Sequence, residues 1–297
     1  RSERPTMSEI MNTPMTPAAP AAAPAGGVLL QPSRGRVIAI TSGKGGVGKT
    51  FLSANLAAAL TRRGLRVLVL DADLGLANLD VVLNLYPKLT LHDVFTGKCA
   101  LDDAILKAPG GFSVLLAGSG MVEYSRLTPE VRDDFLRLME QVVPRYDVVL
   151  LDTGAGISDV VLFTLSLASE ILLVATPEPT SLTDAYATIK VLATQQGRQQ
   201  VRLVVNQAVR PGDGRAITAQ LQAVLNRFVG AALGGERSAG GAAVRLIHMG
   251  DIPVDKAVKE AVMRRQLLLL HTPGCPAALA VGQIAGRLVD TVLKAIA

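Results

Sequence analysis

The stretch Val37-Ile-Ala-Ile-Thr41, followed at once by Ser42-Gly43-Lys44-Gly45-Gly46-Val47-Gly48-Lys49-Thr50, decides how this chain is read. Five β-branched or apolar residues in a row predict a short strand buried on both faces. The next residues match G-x-x-x-x-G-K-[ST], and a helical pattern over residues 49–63 completes the strand, loop and helix that this motif requires. Its glycines let backbone N–H groups converge on a polyphosphate, and the positive end of the following helix points to the same place. Lys49 offsets charge on the terminal phosphates, and the Thr50 hydroxyl can ligate Mg²⁺. The candidate nucleotide contacts are therefore Gly43, Lys44, Gly45, Gly46, Val47, Gly48, Lys49, Thr50 and, in the first helical turn, Phe51.

Outward from this loop, short apolar runs alternate with longer helical patterns. Strands are predicted at 37–41, 66–70, 112–116, 147–151, 171–175, 201–206 and 244–248. Helices are predicted near 49–63, 129–142, 158–168, 181–196, 215–228, 254–266 and 276–296. Together they give an α/β class: a doubly wound, mostly parallel sheet of seven or eight strands flanked by helices. Residues 1–34 contain Pro14, Pro17, Pro20, Pro24 and Pro32 in a Pro/Ala-rich run and are expected to form a disordered tail, leaving 35–297 as the folded domain. A Gly/Ala-rich insert over 230–243 is expected to be a mobile surface loop. No repeat of 20 to 50 residues indicates a solenoid or propeller.

Composition removes other classes. Of 297 residues 49% are hydrophobic and only 19% charged, which is incompatible with disorder over most of the chain. The two cysteines cannot make a disulfide framework, and no zinc spacing occurs, so a reducing, cytoplasmic setting is expected. No window supplies the roughly 20 apolar residues that cross a bilayer. At 3% aromatics the chain lacks the stacking platforms that hold single-stranded nucleic acid.

Acidic residues recur where predicted strands end. The second strand runs into Asp71-Ala-Asp-Leu-Gly-Leu-Ala-Asn-Leu-Asp80, and the fourth ends in Asp152-Thr153-Gly154-Ala155-Gly156. In a parallel sheet such carboxylates lie beside the ligand crevice, where they can hold hydrated Mg²⁺ and orient a water for in-line attack. A hydrophobic strand ending in Asp152 has the Walker B arrangement, and the glycines behind it allow the backbone to follow a γ-phosphate. No N-K-x-D string selects guanine, so the expected cofactor is ATP with Mg²⁺. Lys44 is a second loop lysine that cannot easily reach its own nucleotide along the path of Lys49, which makes it a candidate to act on a neighbouring molecule.

The string Lys44-Gly45-Gly46-Val47-Gly48-Lys49-Thr50 resembles the deviant Walker A motif of the MinD/ParA family. That resemblance implies an ATPase working as a nucleotide-sandwiched homodimer, with Lys44 crossing to the partner's phosphates. It assigns water positioning to Asp73, places Asp71 on the metal's water shell and gives Asp152 a water-mediated contact to Mg²⁺. It also puts Asn206 and the turn Ile252-Pro253-Val254-Asp255 beside the adenine. The stretch 71–80, with Leu91-His-Asp-Val-Phe95, Pro179-Thr-Ser-Leu-Thr-Asp-Ala-Tyr186 and Val258-Lys-Glu-Ala-Val-Met-Arg-Arg-Gln266, is similar to the FlhG/FleN branch. Those ATPases limit the number and placement of bacterial flagella, which implies a flagellar transcription activator and an FlhF-like GTPase as partners. Residues 7–31 lack the Asp-Gln-Ala segment that stimulates the GTPase in some members, so activation by this tail is not expected.

Two surface features remain. Leu279, Ile284, Leu288, Val292 and Ile296 share one side of the last predicted helix, a candidate for peripheral contact with the inner membrane face, with packing on the domain as the alternative. Seven arginines between Arg198 and Arg245 face only Asp213 and Glu236 in the same span, a basic surface for DNA, an acidic partner or water alone, with direct DNA binding the weaker expectation. The leading expectation is an ATP-controlled dimerisation switch with slow turnover. The alternatives are a MinD- or ParA-type positioning ATPase in cell division or DNA partition, and a metabolic transferase, against which no second-substrate constellation is found.

Overall fold

A computed structural model describes residues 35–74, 78–118, 124, 126–232 and 244–293. The predicted tail at 1–34 and most of the 230–243 insert lie outside the described residues. The chain builds one eight-stranded sheet in the order β3-β4-β2-β5-β1-β6-β7-β8. Its strands are β1 (Arg36–Ser42), β2 (Val67–Ala72), β3 (Leu106–Lys107), β4 (Ser113–Leu115), β5 (Val148–Ala155), β6 (Glu170–Ala175), β7 (Gln200–Ala208) and β8 (Arg245–Pro253). Among the described residues only the edge pair β3 and β4 is antiparallel; every other pairing is parallel. The predicted mostly parallel, doubly wound sheet is thus the observed one, and β3 is the strand whose two residues were too short to be seen as a run.

Alternate residues of each strand serve opposite layers, as period two requires. Ile38 and Ile40 face the layer of α1 (Lys49–Thr61), α2 (Leu79–Leu83) and the C-terminal helices α9 (Lys256–Met263), α10 (Leu268–His271) and α11 (Pro276–Leu288). Val37 and Ala39 face the other layer, which holds α3 (Leu91–Phe95), α4 (Leu101–Ala104), α5 (Pro129–Val142), α6 (Asp159–Leu167), α7 (Pro179–Gln196) and α8 (Asp213–Ala232). The short helices α2, α3, α4 and α10 carry too few turns for a readable period. Local chemistry sets helix ends, short and long: Thr90 and Asp93 form a capping box on α3, and Pro179 opens the longer α7 while Gly197, at φ 63°, closes it.

Helix α1 is buried nearly all round because it lies between the sheet and α11. Arg63 fastens the two helices by donating to the Gly282 carbonyl at 2.7 Å. The last helix therefore packs on the domain. Ile284, Leu288 and Val292 are buried, Leu279 alone of the described apolar row is exposed, and Ile296 lies outside the described residues. As far as Val292 that apolar face is buried in the protein's own core, the packing alternative of the two expected for this helix. No helix among the described residues is long and apolar enough to cross a membrane.

The basic span also contracts. Arg202 is buried against Glu170 at 2.9 Å, and Arg198 donates to the Leu165 and Ala168 carbonyls. Arg210, Arg215, Arg227 and Arg245 remain at the surface, and Arg237 lies outside the described residues. Two of the seven charges thus stabilise the interior rather than forming a face.

Leu288→Ala is expected to lower unfolding free energy by about 2–5 kcal/mol in urea titration without lipid present, because it empties a core position. Leu279→Ser, at an exposed position of the same helix, should stay within about 0.5 kcal/mol of wild type.

Candidate functional site

Parallel strands bring their C-terminal ends, and the loops after them, to one edge of the sheet. β5 lies between β2 and β1, so the register aligns Asp71 with Asp152 and brings both beside the loop that leaves β1. The loop itself is shaped by contacts that exclude side chains. A Cβ on Gly43 would strike the backbone of Asp184 in α7, and Gly48, at φ 95°, sits against the Asn206 amide. Asn206 donates to the Val47 carbonyl at 2.8 Å and accepts from the Gln207 N–H, so the end of β7 props the loop open.

Lys49 is buried at the base of the loop, where its ammonium donates to Ser42 Oγ at 3.0 Å. Ser42 Oγ donates in turn to the Lys44 carbonyl at 2.6 Å. One turn on, Ser53 donates to Asp152 at 2.8 Å, and Thr50 also hydrogen-bonds to that carboxylate. Asp73 is tied to its neighbours: its backbone N–H donates to Asp71 Oδ1 at 3.2 Å, and its carboxylate lies where a Cβ on Gly154 would come within 3.3 Å. Gly154 is thus the residue that lets Asp73 approach the end of β5.

Burial governs the charges here. It lowers the pKa of Lys49, while the charges of Asp152 and Asp73 pull it back up. Burial raises Asp152 to about 6 against hydrogen bonds from Thr50 and Ser53 and the charge of Lys49. Asp71 is driven well above the usual carboxylate range by burial first and by Asp152 second. Two carboxylates this close in low dielectric cannot both ionise cheaply, and a single lysine does not balance them.

The site's chemistry fits a magnesium polyphosphate. Among the described residues, Asp71 Oδ2 is a buried acceptor with no hydrogen-bond partner, as are the hydroxyls of Thr41 and Thr176 at the ends of β1 and β6. A Cβ at Gly45 or Gly46 would meet nothing within 4 Å, so the mouth of the loop is open space lined by backbone. A bound cation would satisfy the acids, and a bound anion would satisfy Lys49 and the loop N–H groups.

Lys44, Gly45 and Gly46 stand at the rim. Lys44 binds Glu178 at 2.7 Å and Thr180 at 3.0 Å, both at the start of α7, and its side chain is 38% exposed. Phe51 and Val47 face the core. Pro253 ends β8. Asp255 is committed to helix ends: its two oxygens accept from Ala257 at the start of α9 and Ala277 at the start of α11. Sequence reasoning missed Ser42, Ser53, Glu178 and Thr180. Ser53 was findable, since it lies four residues beyond Lys49 on one helical face. Glu178 and Thr180 were not, because 134 residues separate Glu178 from Lys44.

A doubly wound sheet with this loop after its first strand defines a P-loop nucleotide-binding ATPase. The family described as an AAA domain matches residues 35–204. Antiactivator FleN of Pseudomonas aeruginosa is 42% identical over 260 residues, covering 88% of each chain. Flagellum site-determining protein YlxH of Helicobacter pylori is 33% identical over 256 residues, covering 86% of this chain and 82% of that one. The septum site-determining protein MinD of Pyrococcus horikoshii, solved with Mg-ADP, superposes with a TM-score of 0.70 at 26% identity, over 89% and 99% of the two chains. The chain belongs to the MinD/ParA family of P-loop ATPases and is FleN-like.

Burial opposes ionisation of Asp255, but the two helix N–H groups hold its carboxyl below the usual value. Asp255→Ala should therefore cost about 1–2 kcal/mol at neutral pH, the value of a lost cap. The sign follows from a folded pKa below the unfolded one. The deficit is complete above about pH 4 and closes as pH falls through the lower folded value. Chemical denaturation of both proteins from pH 7 to pH 3 measures it.

Proposed function

We propose that this chain is an ATP-gated dimerisation switch that restrains flagellar number or placement. The observation that carries the reading is Lys44, a cation at the rim of the phosphate loop with no acceptor on its own loop and a side chain long enough to leave its surface ion pair. Exposed ion pairs are worth at most about 1 kcal/mol, so Glu178 and Thr180 hold Lys44 only lightly. Ile157, Val209 and Val254 are exposed just after β5, β7 and β8, on the edge that also carries Gly45 and Gly46. An edge with apolar side chains around an anion site is suited to closing on a second copy once the phosphates neutralise its charge.

In this reading the loop N–H groups and Lys49 bind the triphosphate of ATP, and Lys44 moves to the neighbour's phosphates. Asp73 orients a water toward the γ-phosphorus; the P–O bond to the bridging oxygen breaks, and ADP and phosphate leave. Thr50, Asp71, Asp73 and Asp152 are the residues that would hold Mg²⁺ and its water shell. Bound Mg²⁺ supplies charge neutralisation on the phosphate oxygens. Asn206 and Pro253 border the base, and Asp255 fixes the turn behind it. Turnover is slow because each cycle requires two subunits to close and part.

The flagellar output rests on likeness to an antiactivator and to a flagellum site-determining protein. Its partners in this reading are a flagellar transcription activator and an FlhF-like GTPase. Deleting the gene in its host is expected to alter flagellar number or position. Normal flagella with misplaced septa or lost plasmids would instead favour the positioning role of MinD or ParA proteins.

Light scattering with Mg·ATP tests the switch. Asp73→Ala should double in mass and stay doubled, with hydrolysis reduced at least about 10²-fold. Lys44→Ala should remain monomeric and lose about 10²–10³-fold in turnover. A Lys44→Ala protein that pairs and hydrolyses like wild type overturns the proposal.

A further inference from the structure

On the face away from the nucleotide edge, a cavity of about 230 Å³ opens where α2, the turn before β4 and the segment joining α9 to α10 meet. Leu83, Pro109 and Leu267 are among its apolar walls, and Asn84, Arg265 and His271 are exposed around it. The cavity is far from β1's loop because Pro109 precedes β4, at the N-terminal edge of the parallel strands, and a Cβ on its neighbour Gly110 would touch Ala58, near the far end of α1. Nothing in the ATPase reading uses it.

Three observations mark it as more than a packing defect. The first is backbone conformation: of three non-glycine residues with positive φ among those described, Asn84 and Arg265 line this cavity, both at φ 52°. Both close helices: Asn84 caps α2, and Arg265 follows the end of α9, where its N–H donates to the Val262 carbonyl and the Gln266 N–H to the Ala261 carbonyl, a C-terminal turn that favours glycine or asparagine over arginine. The second is apolar exposure. Val81, Tyr86, Val262, Met263 and Leu270, five of the ten large hydrophobic residues exposed among those described, come from the segments 81–86 and 262–270 that flank it. Tyr86 is 78% exposed and its hydroxyl accepts from Arg265 at 3.4 Å.

The third is charge. Segments 81–88, 105–111 and 261–274 carry Lys88, Lys107, Arg264 and Arg265 and contain no Asp or Glu. Among the described residues, none of these four cations forms an ion pair. Arginines without a carboxylate partner among the described residues, beside exposed Tyr and Met, have the composition of an interface rather than of ordinary solvated surface. The volume admits one or two side chains, not a whole small-molecule ligand of drug size.

We propose that this cavity docks an acidic peptide segment of a partner protein, an apolar side chain seated on Leu83, Pro109 and Leu267 and carboxylates paired with Arg264 and Arg265. Because the site stands off the nucleotide edge, docking there needs neither ATP nor a second copy, so its test is independent of the dimerisation reading.

A random dodecapeptide phage library panned on the 297-residue chain without nucleotide, with counter-selection on a Tyr86→Ser/Arg265→Glu variant, provides the probe. Enriched peptides should combine Asp or Glu with Leu, Ile or Phe. A synthetic copy of one should protect amides at 83–86 and 262–271 in hydrogen exchange. Arg265→Gly suits the left-handed turn, so the variant should fold at least as well as wild type. It should bind that peptide at least 10-fold more weakly and keep wild-type basal ATPase. No enrichment over the variant, enriched peptides without acids, protection elsewhere, or equal binding by Arg265→Gly would each overturn the proposal. Competition by the chain's own N-terminal segment, removed by deleting residues 1–34, would likewise assign the cavity to an internal occupant and overturn the partner.

Discussion

A buried ammonium beside buried carboxylates is the constraint on which the rest of this structure depends. Lys49 sits out of water with Ser42 as its hydrogen-bond partner, within the field of Asp73 and Asp152, while Asp71 and Asp152 face each other in register across two strands. Desolvating such groups without full compensation is costly, on the order of several kcal/mol for each ion. The chain tolerates this arrangement because a large apolar sheet carries it, and because anionic and cationic ligands together would complete it. Instability confined to a ligand site in this way is the expected trade between function and fold.

The sheet order is what concentrates these groups. Inserting β5 between β2 and β1 places three strand ends, each with its own polar residue, around a single loop. The neighbouring elements then hold that loop at fixed distance: α7 crowds Gly43, Asn206 at the end of β7 reaches Val47, and Ser53 on α1 ties Asp152 to the first helix. Packing of α11 on α1 steadies the helix from behind. Its apolar row therefore has a structural use, whereas an amphipathic pattern in isolation reads equally well as a lipid-facing surface.

Most of the fold was legible because its strands are short, largely apolar runs, with β2 and β5 running into aspartate, and because the loop motif fixes which run comes first. Helix α5 was read to its terminal residues, since Thr128 and Pro129 mark its start and its apolar residues keep one face. What stayed hidden shares a physical cause. Two-residue β3 and the helices of four or five residues have no period to read, and the ion pair of Lys44 with Glu178 depends on a contact made only after folding. Asp255 shows the reverse difficulty. Its place in the turn after β8 was visible, but a carboxylate capping two helices cannot be told from a ligand contact until the second helix, 22 residues away, is in position. The cavity between α2 and α10 was invisible for the same reason, although the run of cations without acids that borders it could be counted.

Titration calorimetry of Mg·ATP into the folded protein tests the central claim most directly, with Lys49→Ala as the comparison. The account predicts saturable heat at one nucleotide per chain for wild type, and its loss in the variant while circular dichroism remains that of the same fold. A folded wild-type protein that releases no heat, or a Lys49→Ala protein that binds as tightly as wild type, would contradict it.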